Sequence, residues 1–175
     1  SEMAYTDQTG RFPVVGAGGY KYIMVLLELD GNYIAMEPTK SKETDELIRV
    51  YTIIMDRLKH RGIQPKHQIL DNEAPDEYIK AIEQRGLTWE KVPPHNHRRN
   101  IAEKAIQTAK GHIVANATGC DQNFPMREWP KLLPQIELTL NMLRPSNIRP
   151  TVSAYMYVHG MHDYNKMPLA PLGCA

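Results

Sequence analysis

The chain has 175 residues, 42% of them hydrophobic, enough for one domain with a sizeable core and short for two. Its 21 Lys and Arg against 20 Asp and Glu leave a formal net charge of +1, so no global basic field marks a nucleic-acid partner; any such contact has to come from a local patch. Cys120 and Cys174 stand far apart without a CxxC pair, which argues against a cysteine zinc site or a disulfide framework, and the apolar run 22–27 is too short to span a bilayer. A soluble protein with no membrane partner is expected.

Residues 3–12 contain a short strand. Residues 20–29 and 33–37 form a hairpin around Asp30-Gly31-Asn32, a favourable turn sequence. Leu47, Tyr51, Ile54 and Leu58 then recur at helical spacing between the acidic Glu43, Asp45 and Glu46 and the terminator Gly62. A strand over 67–70, a helix over 75–85 with Pro at its first turn, and a strand over 87–92 follow. The breaker segment 93–99 leads to a long helix with an apolar face of Ala102, Ala105, Ile106, Ala109 and Ile113, closed by Gly119. A second long helix over 125–143, bent or restarted by Pro130 and Pro134, shows Leu133, Ile136, Leu140 and Leu143 on one face. Thr151 is a cap for a short helix ending near Gly160, and Trp89 and Trp129 are expected in the core. The order is βββαβαβα followed by further helices. Residues 1–160 make the domain, and 161–175 an extended Pro-rich tail leading toward a further region.

Twenty acidic residues make some Asp/Asp/Glu triple unremarkable, so placement has to carry the argument. Asp7 lies within the first strand and Asp71 follows the fourth. If those strands are parallel neighbours, the two carboxylates meet at one edge of the sheet. Glu103 sits on the first turns of the long helix, on its polar face. Three hard oxygen donors from separate elements suit Mg²⁺ or Mn²⁺, and two such ions suit in-line displacement at a phosphodiester. Each residue also has a plainer reading: Asp7-Gln8-Thr9-Gly10 and Asp71-Asn72 as turns, and Asn100 with Glu103 as a capping box. Glu103, Gln107 and Lys110 form one helical stripe, suited to DNA or simply to solvent. His95, His97, Arg98 and Arg99 supply donors for phosphates, or an ordinary basic loop. No Cys or further His stands at ligand spacing from His95 and His97, so zinc is not expected there. Gly111 within a helix marks either close approach of a partner or mere exposure.

Tyr5-Thr6-Asp7-Gln8-Thr9-Gly10-Arg11-Phe12, Leu70-Asp71-Asn72-Glu73 and the stretch from Pro93-Pro94-His95 through Asn100-Ile101-Ala102-Glu103-Lys104-Ala105-Ile106 read together as a pattern. Phe124-Pro125-Met126, Trp129, Leu132-Leu133-Pro134-Gln135, Thr139-Leu140-Asn141 and Pro168-Leu169-Ala170-Pro171 extend it over nearly the whole chain. The pattern resembles the integrase core of copia-like LTR retrotransposon polyproteins, especially those of diatoms and other algae, which are related to retroviral integrases. The resemblance implies an RNase H-like α/β fold, a five-stranded mixed sheet flanked by helices, with a catalytic, metal-binding DDE triad at Asp7, Asp71 and Glu103. It further implies a polynucleotidyl transferase with two Mg²⁺ or Mn²⁺ ions, acting on retroelement DNA ends and target DNA. A homodimer or higher oligomer through outer helix faces, and nuclear action after assembly in a cytoplasmic virus-like particle, belong to the same expectation. The sequence departs from the family pattern in three ways. Only 31 residues lie between Asp71 and Glu103, fewer than in the wider family; neither the zinc-binding N-terminal module nor the basic C-terminal region is expected within these residues; and Ala109 stands where a bulkier aromatic is expected. Two other classes remain open: a non-catalytic nucleic-acid-binding remnant of the fold, and an RNase H-like nuclease that cuts without joining.

Overall fold

A computed structural model describes residues 2–93 and 97–170; for residues 97–100 and 102 it describes the backbone alone. Five strands, β1 (Met3–Gln8), β2 (Tyr22–Glu28), β3 (Tyr33–Thr39), β4 (His67–Asp71) and β5 (Thr88–Val92), form one mixed sheet in the order β3-β2-β1-β4-β5. β1, β2 and β3 pair antiparallel, whereas β4 joins β1, and β5 joins β4, in parallel. Helices α1 (Thr44–His60) and α2 (Asp76–Gln84) make the two crossovers that parallel pairing requires. The expected order βββαβαβα is observed, and each expected strand and helix up to β5 is present within a few residues of its predicted bounds.

Alternation along the strands divides the core between two faces. Tyr5, Ile23, Val25, Leu27, Ile34, Met36 and Ile69 pack against α3 (His97–Thr118) and α4 (Leu133–Leu143), joined there by Ala105, Ile106, Ala109, Ile113, Ile136 and Leu140. Ala4, Met24, Leu26, Tyr33, Ala35 and Leu70 face α1, α2 and α5 (Ala154–His159). β2 is apolar on both faces because helices cover both, which is why 22–27 reads as a continuous run.

Several expectations are corrected. The 125–143 segment is two pieces: a 3-10 helix, Met126–Leu132, containing Pro130, then α4, with Pro134 in its first turn where the missing N–H costs nothing. Leu143 is 76% exposed at the end of α4, off the buried face that Leu133, Ile136 and Leu140 form. Ser153, not Thr151, caps α5, its side chain accepting from the Met156 N–H at 3.1 Å. Trp129 is buried and stacked on Phe12 at 4.6 Å, but Trp89 lies at the surface, donating its indole N–H to Glu83. A Cβ at Gly111 would meet nothing of this chain within 4 Å, so no packing within the domain requires that glycine. Gly16 is the opposite case. A Cβ there would stand 2.6 Å from Pro130 Cγ, because the β1–β2 loop is pressed onto the 3-10 helix.

Candidate active site

The topology decides where the aspartates meet. β1 and β4 pair in parallel with Tyr5 opposite Ile69, and two steps further along that register Asp7 stands beside Asp71. Each shares the parity of the apolar residue two places before it, Tyr5 or Ile69, so both belong to the face that α3 covers. Asp71 proves to be the last residue of β4 and not the first beyond it. α3 brings Glu103 to the same place: Asp7, Asp71 and Glu103 line one pocket with Tyr5, Thr6, Ile69, Leu70 and Val92.

The two aspartates are built alike. The Gln8 N–H donates to Asp7 Oδ1 at 2.6 Å and the Asn72 N–H donates to Asp71 Oδ1 at 2.7 Å. In each, the second oxygen has no hydrogen-bond partner among the described residues. Removal of water at the sheet edge pushes the Asp7 carboxyl above its ordinary range against the pull of the Gln8 N–H. The Asp71 charge pushes it the same way, and Lys110 and Lys42 pull it down. That balance describes two carboxylates crowded together and partly relieved by cations.

Below the pocket lies a polar network that sequence reasoning missed. Gln68, fully buried, accepts from the Tyr51 hydroxyl at 3.1 Å and donates to Thr6 Oγ1 at 3.1 Å; Thr6 also meets the Tyr78 hydroxyl at 3.2 Å. These contacts tie β1 and β4 to α1 and α2 directly beneath the aspartates. A Gln set directly before the apolar pair Ile69-Leu70 of β4 was the available signal.

The plainer reading of Glu103 is removed by the backbone. An N-cap residue has a non-helical conformation, but α3 already begins at His97, so Asn100 lies inside the helix and no capping box forms. Glu103, Gln107 and Lys110 are exposed along α3 as the stripe predicted, while Ala105, Ile106, Ala109 and Ile113 are buried behind them. Ala109 is 0% exposed. The helical start at His97 also moves His97, Arg98 and Arg99 from a breaker loop into the first turn of α3. His95, and the side chains of His97, Arg98 and Arg99, lie outside the described residues.

The donors fit a hard divalent cation in kind: carboxylate oxygens, two with one oxygen unengaged, and crowded like charges that a cation would relieve. Among the described residues no three His, Cys, Asp or Glu side chains converge closely enough to enclose an ion, so the three carboxylates stand around a pocket and not at a point. No helix among the described residues is long and apolar enough to cross a membrane.

No family model and no curated protein matches this sequence. Solved structures do. The catalytic core domain of BIV integrase superposes with a TM-score of 0.66 at 15% identity, covering 90% of this chain and 93% of that one. The HTLV-2 integrase catalytic core domain in complex with magnesium, in a trimeric form, gives 0.66 at 16%, covering 90% and 95%. A chain of the simian T-cell lymphotropic virus intasome gives 0.68 at 16%, covering 98% of this chain and 58% of that one. At such identities the likeness is one of fold, and the fold is that of the integrase catalytic core: RNase H-like, with a mixed five-stranded sheet flanked by helices.

Proposed function

We propose that this chain, with its integrase-core fold, is the catalytic core of the integrase of a copia-like LTR retrotransposon, joining retroelement DNA ends to target DNA. The observation that carries the reading is the single pocket at the sheet's carboxyl edge lined by Asp7, Asp71 and Glu103 from β1, β4 and α3. Sheet edges of this kind are where α/β folds place their ligands.

Asp7 and Asp71 hold the first divalent cation, Mg²⁺ or Mn²⁺, and Glu103 completes the site of a second. When bound, such ions supply Lewis-acid polarisation and charge neutralisation at a phosphodiester. Gln107 and Lys110, one and two turns along α3 from Glu103, hold the phosphate backbone, with His95, His97, Arg98 and Arg99 closing on it from the preceding segment. Water trims a 3′ end; the freed 3′ hydroxyl then attacks a target phosphorus, forming a new P–O bond as the bond to the leaving 3′ oxygen breaks. The magnesium in the HTLV-2 core and the dimeric and trimeric forms of that protein support a divalent ion and an oligomer here. Action in the nucleus, after assembly in a virus-like particle, belongs to the same reading.

The test is Mn²⁺-dependent disintegration of a branched oligonucleotide, which asks for chemistry at one phosphodiester only. Asp71→Asn keeps the shape and weakens a ligand; its activity is expected to fall on the order of 100-fold or more. Full activity in that variant would remove Asp71 from the site. Hydrolysis without joining would identify a nuclease, and DNA binding without any turnover a non-catalytic remnant.

A further inference from the structure

The sheet edge that carries Asp7 and Asp71 continues toward β3. Because β2 runs antiparallel to β1 and β3, its amino end and the carboxyl end of β3 emerge beside the carboxyl ends of β1 and β4. Tyr22 opens β2 opposite Thr39. Tyr20 precedes it, held in place by the Gly16 N–H donating to its carbonyl at 2.7 Å, and Lys21 N–H donates to the Thr39 carbonyl at 2.9 Å. Lys40 and Lys42 follow β3, and their ammonium groups sit over those two rings, 5.6 Å from the Tyr20 centroid and 5.4 Å from that of Tyr22.

An aromatic face holds an ammonium through its quadrupole and leaves the charge uncancelled. Some cations of this chain are engaged by carboxylates, as Arg49 is by Glu46 at 2.7 Å, Lys66 by Glu2 at 2.8 Å and Lys131 by Glu128 at 2.7 Å. Lys40 and Lys42 are exposed and make no ion pair among the described residues, and neither does Lys110. Glu46, which the Lys40 charge also influences, is occupied by both guanidinium contacts of Arg49 and by the Lys40 backbone N–H. Lys42, from the loop after β3, and Lys110, from α3, both reach Asp7 electrostatically.

We propose that Lys40 and Lys42, seated on Tyr20 and Tyr22, form a shelf that binds the phosphate backbone of a DNA strand and leads it across Asp7 toward Lys110. The inference rests on the DNA-joining reading above and adds a path to it. Point charges pre-positioned on rings contact successive phosphates without reading bases. They also offset the repulsion that Asp7 and Asp71 exert on an incoming strand.

The experiment is anisotropy titration of a short labelled duplex with the full 175-residue chain over a range of salt concentrations, comparing the parent with Lys40→Ala/Lys42→Ala, Lys42→Arg and Lys110→Ala. Both shelf lysines are exposed, so thermal melts should confirm an unchanged fold. The double variant is expected to bind more weakly, with the log–log salt slope shallower by roughly 1.8 for two lost phosphate contacts. Lys42→Arg should retain parental binding. If the double variant keeps parental affinity and slope while Lys110→Ala weakens binding, the strand takes another path: the shelf is overturned and the DNA-joining reading stands. If the parent binds no duplex even at low salt, both fall.

Discussion

His159 shows how much a single side chain depends on what the fold puts round it. Its Nε2 lies 2.9 Å from the Tyr33 hydroxyl, which itself donates to Glu137 Oε1 at 2.6 Å, so the imidazole has to be the donor to Tyr33. Loss of water, then the Arg61 and Arg57 charges, push its pKa down to about 4 from 6.5. The folded protein therefore holds His159 neutral at pH values where the unfolded chain binds a proton. Its contribution to stability is complete above about pH 6.5 and is lost as the pH falls from there toward 4. Urea unfolding midpoints of the parent should drop further between pH 7 and pH 4.5 than those of His159→Gln; parallel curves would contradict this assignment. The same argument at Asp7 runs in the other direction. Burial and Asp71 raise it, and the Gln8 N–H, Lys110 and Lys42 oppose them.

At the scale of elements, the outer edge of β3 is closed by side chains of α4. The Ile34 N–H donates to Asn141 Oδ1 at 2.8 Å, Asn141 Nδ2 donates back to the Ile34 carbonyl at 2.8 Å, and the Met36 N–H donates to Glu137 Oε2 at 2.7 Å. An edge strand left open is a template for pairing with another chain, and here a helix supplies the missing ladder. Arg57 of α1 joins Glu137 at 3.1 Å and Glu37 at 3.4 Å, so the buried Glu137 is paired. Asn141→Ala orphans a buried donor and a buried acceptor together, a loss of roughly 3 kcal/mol. Asn141→Asp keeps the acceptor for Ile34 N–H but sets a carboxylate against the Ile34 and Glu137 carbonyls, and should be at least as damaging. A loss below about 1 kcal/mol in urea unfolding of the Ala variant would contradict the edge-closing role. The pattern was partly legible beforehand, since α4 was expected to be apolar on one face. That Glu137 and Asn141 lie within its buried surface was not, because polar residues on a helix read as solvent-facing until a strand edge is known to lie opposite.

For the whole molecule, the crowded carboxylates predict coupling between ion binding and stability. An ion that binds the folded state alone stabilises it by about 2.7 kcal/mol at 100 times its Kd. In a domain of this size that raises Tm by roughly 5–10 °C. Mn²⁺ should therefore raise the Tm of the parent and leave that of Asp71→Asn nearly unchanged; equal shifts in both would place the ion elsewhere. This readout needs no DNA and no turnover, so it separates the metal from the chemistry.

Local patterning was enough to read the elements as far as β5, because alternation, helical spacing and turn residues act over a few neighbours. The same patterning singled out Asp7, Asp71 and Glu103 only as candidates, each with a local rival. Their meeting in one pocket was decided by the parallel pairing of β1 with β4 and by the reach of α3, which are long-range contacts with no signature in any one segment. The helical start at His97 removed the capping-box reading of Glu103 for a related reason. Where a helix begins depends on what its first turn packs against, and adjacent Pro and His residues do not report that. Lys40 and Lys42 passed unnoticed in the sequence because a lysine near a tyrosine is ordinary. Only the folding of β2 against β3 brings those rings and charges together, with Lys42 in electrostatic reach of Asp7.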